Sequence, residues 1–146
     1  MEKVVGGIIL VANFLSMPNS YVRIWIHAVW STKYRNFYIH LDKEGPIHHH
    51  MHQQFLKMGC RVKAINGMQD HIHCLFSLNP KVPLDRIIQQ VKGSTSYFVN
   101  KNNIIPEYFK WQDGFWATSL CDERVKFVHA YIRNQKRKHG RQPRYQ

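Results

Sequence analysis

Two histidines one residue apart stand at the head of an apolar run, His71-Ile72-His73-Cys74-Leu75-Phe76. Strand side chains alternate with period two, so both imidazoles project from one face and can share a divalent metal ion. Ile72, Cys74, Phe76 and Leu78 take the other face and would seat the pair against a core, as a rigid metal site requires. Without an ion the pair is simply two strand histidines. Tyr131 and Gln135 lie four apart near the C-terminus, and on a helix they point from one face. That spacing equally suits a core tyrosine followed by a solvated glutamine.

The elements that must position these residues follow from periodicity. Alternation begins at Tyr21, with Val22, Ile24, Ile26 and Ala28 on one face and Arg23, Trp25, His27 and Val29 on the other, a first strand. Ser31 to Arg35 leaves it as a basic loop. Gly45-Pro46 opens a helix whose stripe is Ile47, Met51, Phe55 and Met58, and Gly59 caps its end. Cys60 to Asn66 and His71 to Leu78 read as a hairpin turning over Gly67 to Asp70. A second helix from Pro83 to Asn100 buries Leu84, Ile87, Ile88, Val91 and Phe98, and Gly114 to Ser119 supplies a fourth strand. The last helix is expected to run unbroken from Asp122 to Lys138, acidic at its start and basic at its end. The order β-α-β-β-α-β-α predicts an α+β, ferredoxin-like sandwich: an antiparallel sheet plus an added C-terminal helix that carries Tyr131.

Composition narrows the partners. The 146 residues carry a formal charge of +12, with seven tyrosines, eight phenylalanines and four tryptophans among the basic residues. One domain with one core is expected, and basic side chains mixed with aromatic ones suit phosphate neutralisation and base stacking. Cys60, Cys74 and Cys121 form no Cys-x-x-Cys pair, which excludes a zinc ribbon and points to a reducing, cytoplasmic setting. Val4 to Leu15 is apolar but too short to span a bilayer, so no membrane partner is expected. Residues 1–16 read as an extension to a single domain over 17–146, and a disordered one. His48, His49, His50 and His52 read as an exposed helix face, since no acid or cysteine accompanies them.

Taken in order, His27-Ala28-Val29-Trp30-Ser31-Thr32-Lys33-Tyr34-Arg35, Asp70-His71-Ile72-His73, Gly114-Phe115-Trp116-Ala117-Thr118-Ser119 and Tyr131-Ile132-Arg133-Asn134-Gln135 resemble the single-tyrosine HUH transposases of the insertion sequence 200/605 group. The resemblance runs from Tyr21 to His139. It implies that His71, His73 and Gln135 hold a divalent ion, Mg²⁺ or Mn²⁺, and that Tyr131 is a nucleophile toward single-stranded DNA at hairpin ends. It also implies a homodimer in which the tyrosine helix can serve the partner. A phenol attacks well only when cations or a metal stabilise its phenolate, and Arg133 and Lys136 follow Tyr131 closely. Lys33, Arg35, Lys110, Arg133, Lys136, Arg137, Lys138 and the tail to Arg144 are the expected phosphate contacts. Trp25, Tyr34, Phe115 and Trp116 are candidates to stack bases on an open sheet face.

A different class stays open on the same scaffold: a non-catalytic, RNA-recognition-like module that stacks single strands on its sheet. The sequence contains no His-Glu-x-x-His, phosphate-loop glycine pattern or Gly-x-Ser-x-Gly.

Overall fold

A computed structural model describes residues 20–139, the side chains of residues 138 and 139 excepted. The proposed extension over residues 1–16, the Lys138 side chain and the tail beyond it lie outside the described residues. The chain follows the expected order: β1 (Trp25–Ser31), a 3-10 turn (Lys33–Arg35), α1 (Glu44–Lys57), β2 (Arg61–Gly67), β3 (His71–Ser77), α2 (Leu84–Lys101), β4 (Trp116–Leu120), α3 (Asp122–Arg133) and α4 (Gln135–His139). The four strands form one sheet in the order β2-β3-β1-β4, every pair antiparallel. This is the ferredoxin-like arrangement.

Alternation along β1 and β3 sorts side chains to two faces. Ile26, Ala28 and Trp30 meet Ile72, Cys74 and Phe76 on one face, where Ile47, Met51 and Phe55 of α1 and Ile87, Ile88 and Val91 of α2 close the main core. On the other face Leu75 packs with Val125 and Ile132 of α3, flanked by Trp25 and Val128. The sheet is therefore covered on both sides. The expected open stacking face is largely occupied by α3, and Trp25 belongs to the packing beneath it.

Three expectations on extent and exposure need correction. β1 starts at Trp25 instead of Tyr21, because Trp25 pairs with the last residues of both neighbouring strands, Ser77 and Leu120, and beyond it a single bond, Leu78 N–H to the Ile24 carbonyl at 2.7 Å, continues the pairing. The last helix is not continuous. Asn66 Nδ2 donates to the carbonyls of Ile132 (2.9 Å) and Arg133 (3.2 Å), acceptors that a continuing helix would give to the N–H groups of residues 136 and 137, and the chain turns at Asn134. The histidine tract is an exposed face only at His49. His48 and His52 are half-buried and His50 stacks on Phe98 with ring centroids 4.3 Å apart.

The hairpin that delivers His71 depends on Gly67. A Cβ there would lie 2.1 Å from the His71 carbonyl oxygen, closer than any side chain can sit. Cys60, Cys74 and Cys121 are free thiols, as expected. Among the described residues no helix is long and apolar enough to cross a membrane.

Candidate active site

His27, His71, His73 and Asn66 share one sheet face through register. His27 stands opposite Leu75, two residues from His73, while Asn66 stands directly opposite His73. A β-bulge between Val62 and Ala64 shifts the β2 pairing by one residue. Without it Ile65 would oppose His73, and the polar side chain would turn to the other face.

His71 and His73 lie with ring centroids 5.2 Å apart. Each is held from behind by a different partner. His71 Nδ1 is 2.7 Å from Asp70 Oδ1, and Arg35 donates to Asp70 Oδ2 from Nε (3.0 Å) and Nη2 (2.8 Å). Burial alone would raise the Asp70 carboxyl, but the hydrogen bonds and charges of His71 and Arg35 outweigh it and hold it below the usual carboxylate range. His73 Nδ1 is 3.0 Å from His27 Nε2, with the rings stacked. Burial lowers the His27 pKa, which favours a neutral ring whose Nε2 can accept a hydrogen bond from His73 Nδ1. Metal-ligating histidines are commonly oriented through their second nitrogen in this way.

Tyr131 reaches the pair from α3 of the same chain. Its ring centroid is 5.6 Å from that of His73, edge to face, and 6.4 Å from that of His27. Gln135 is 1% exposed, and its Nε2 donates to the Tyr131 carbonyl at 3.2 Å. Its Oε1 is buried without a donor among the described residues. A buried amide oxygen left in that state costs about 1–3 kcal/mol, which a cation would relieve. His71, His73, Tyr131 and Gln135 line one cavity of about 480 Å³, walled by Arg35 and the Gln112–Trp116 segment. Among the described residues no group of three His, Cys, Asp or Glu side chains is placed to hold a metal ion, and the Gln135 amide lines this cavity together with the histidine pair. Two imidazoles and an amide oxygen fit a divalent ion of intermediate hardness, Mn²⁺ better than Mg²⁺.

The turn before Arg35 is built from Thr32, whose N–H donates to Asp70 O at 2.9 Å and whose hydroxyl donates to Asn36 O at 2.7 Å. These bonds hold Tyr34 and Arg35 in the left-handed region, both at φ 55, a strained pair of the kind that clusters at functional sites. Lys92 of α2 supports the opposite wall, donating to the carbonyls of Gln112 (2.8 Å) and Gly114 (2.6 Å).

The chain matches the family described as Transposase IS200 like over residues 20–135. The chain belongs to the IS200-like transposase family. Solved structures agree on the fold of this transposase. A Deinococcus radiodurans R1 protein assigned as a transposase superposes with a TM-score of 0.62 at 18% identity, over 82% of this chain and 97% of the other. A REP-associated tyrosine transposase bound to a REP hairpin superposes with a TM-score of 0.62 at 16% identity, over 86% of this chain and 74% of the other. No curated protein matches.

Of the residues singled out in the sequence, His71, His73, Tyr131, Gln135, Arg35, Phe115 and Trp116 meet at this transposase's cavity. Lys33 lies near it, 3.8 Å from Asp113. Arg133 and Arg137 are exposed. Lys136 turns away: its Nζ donates to Asn66 Oδ1 (2.6 Å) and pairs with Glu44 (2.9 Å), so it serves the seating of α4 instead of the phenol. Sequence reasoning quoted His27 and Asp70 within motifs but gave them no role of their own, and it passed over Asn66 and Lys92 as site residues. Only His27 and Asp70 carried a signal, one by sharing the strand face of Trp25 and Val29, the other by adjoining His71.

Proposed function

We propose that this transposase nicks and rejoins single-stranded DNA at the hairpin ends of an insertion sequence by transesterification through Tyr131. The observation that carries the reading is the convergence, within one chain, of the Tyr131 ring on His73 beside the orphaned Gln135 oxygen.

His71, His73 and Gln135 would hold a divalent ion, Mg²⁺ or Mn²⁺. Such an ion, when bound, withdraws charge from the non-bridging phosphate oxygens as a Lewis acid. The residues do the rest. Asp70 and His27 fix the two imidazoles, and α3 presents the phenol oxygen to phosphorus. The Tyr131 Oη–P bond forms, the P–O3′ bond breaks, the phenol proton passes to water, and the departing oxygen takes a proton to become a 3′-hydroxyl. Because the 5′-phosphotyrosine ester keeps the bond energy, a later 3′-hydroxyl can attack it and restore both a phosphodiester and the phenol. Arg35 and Lys33 at the rim, with Arg133, Arg137 and Lys138 beyond, would hold flanking phosphates; Tyr34, Phe115 and Trp116 would stack bases.

The hairpin partner is carried over from the likeness to a hairpin-bound relative. A homodimer is the assembly expected of the family, yet Tyr131 reaches the histidine pair without a second copy. The RNA-recognition-like alternative needs a free sheet face, and α3 lies across it.

The test is a denaturing gel of the full chain with a panel of single-stranded hairpins and Mn²⁺. A retarded covalent band that disappears in Tyr131→Phe, with binding retained, supports the proposal. Binding with no band on any hairpin removes it.

A further inference from the structure

A second cavity of about 430 Å³ lies behind the Gln112–Phe115 loop, between that loop and α2. The loop is its common wall with the active-site cavity, since Gln112, Asp113, Gly114 and Phe115 line both. A strand whose phosphodiester sits at Tyr131 must leave that site in two directions, and crossing this wall is one of them.

Gly93 identifies the space as one kept open. It sits inside the 18-residue helix α2, where glycine is less favourable than alanine. Its backbone does not take a positive φ, and an added Cβ would meet nothing within 4 Å. Neither conformation nor packing inside the chain calls for the missing side chain. What its absence does is deepen the second cavity, which Gly93 lines.

The surroundings select the occupant. Lys110 and Lys92 supply positive charge against the carboxylates of Asp85 and Asp113, Phe115 an aromatic ring that is 36% exposed, and Gln89 and Ser96 groups able to meet a base edge. Asp113, the carboxylate shared by both cavities, has Lys33 at 3.8 Å. Ser96 also lines a neighbouring concavity with Lys101 and the exposed rings of Tyr97 and Tyr108. Aromatic rings interleaved with lysines along one path form a single-strand binding surface, because bases stack and phosphates are neutralised in turn.

We infer that the cavity at Gly93 is a subsite for one unpaired nucleobase of the strand cut at Tyr131, with the next bases passing over Tyr97 and Tyr108. The inference rests on the reading of the first cavity as a DNA-cleaving site, and it adds where the adjoining nucleotide goes.

The test uses the full chain and a fluorescein-labelled, mixed-sequence single-stranded 20-mer, read by polarisation, with a blunt duplex of the same length as control. Gly93→Val fills the cavity and Gly93→Ala fills it less. Both residues favour a helix more than glycine does, so a thermal midpoint at or above that of the native chain shows that folding is intact. Expected is a loss of single-strand affinity of about tenfold or more in Gly93→Val, a smaller loss in Gly93→Ala, and duplex binding within about twofold, on the scale of losing one stacked base. Single-strand binding by Gly93→Val within twofold of the native chain overturns the inference. The covalent band separates the two proposals: a native chain that forms the adduct while Gly93→Val binds and reacts unchanged leaves Tyr131 chemistry standing and removes the subsite. Failure of the native chain to bind the single strand at all overturns the subsite, while the Tyr131 reading stands or falls by the covalent band on hairpin DNA.

Discussion

His27 Nε2 and His73 Nδ1 lie 3.0 Å apart, an imidazole holding an imidazole beneath the phenol of Tyr131. If His73 ligates a metal through Nε2, its Nδ1 carries a hydrogen that His27 accepts. Replacing His27 by Phe keeps the stacked ring but removes the acceptor. Divalent-ion affinity, measured by calorimetric titration of Mn²⁺ into the full chain, should fall about 10–100-fold. His27→Gln, which can still accept, should lose less. Affinity within threefold of native in His27→Phe would show that the contact is packing alone.

Asn66 ties β2 to the end of α3. Its amide hydrogens occupy the Ile132 and Arg133 carbonyls, and its oxygen takes the Lys136 ammonium. Asn66→Ala removes the ties that hold the end of α3 and the start of α4 to β2, which would loosen the placement of Gln135 beside the histidines. Stability should drop by about 1–2 kcal/mol in urea denaturation, and adduct formation should slow by more than that loss of fold explains. An adduct rate within twofold of native would show that the α3–α4 break is incidental.

His48 makes stability pH-dependent. Burial lowers its pKa to about 4, with Glu44 pulling it up and Lys136 pushing it down. Lys63 of β2 lines the same recess as His48, His49 and His52. A histidine that titrates near 6.5 unfolded and near 4 folded leaves stability undiminished above pH 6.5 and removes it as pH falls toward 4. The full loss is about 3 kcal/mol. Burial also lowers His27 and His50, so they act in the same direction. His48→Leu should therefore shrink, but not abolish, the difference in denaturation free energy between pH 7.5 and 4.5, by about 2 kcal/mol. An unchanged difference would place the acid sensitivity elsewhere.

Gly67→Ala tests the hairpin. A Cβ there collides with backbone at His71, where no side chain can give way. A cost of roughly 2–3 kcal/mol is expected from the thermal midpoint, with weakened Mn²⁺ binding.

Much of this was legible in the sequence, because strand alternation places His71, His73 and the core residues without knowledge of the fold. Period two also put His27 on the correct face of β1, but its contact with His73 needs the β1–β3 register, which no local pattern encodes. The break at Asn134 was hidden for a related reason. Helix periodicity from Asp122 to Lys138 is sound, and the interruption comes from a side chain on β2, distant in sequence. The bulge that aims Asn66 leaves no mark in Arg61 to Gly67. The histidine tract misled because polar residues on a helix suggest solvent, whereas α2 and β2 pack against it.

In the proposed reaction one phenol takes the DNA. Tyr34, Tyr97 and Tyr108 are all more exposed than Tyr131, so exposure alone would favour them. The most direct measurement is mass spectrometry of the peptides from a nuclease-trimmed covalent adduct formed with hairpin DNA and Mn²⁺. A nucleotide phosphoryl group is expected on Tyr131, with no adduct in His71→Ala or His73→Ala. The same modification on another tyrosine, or an adduct that persists without both histidines, would contradict the proposed reaction.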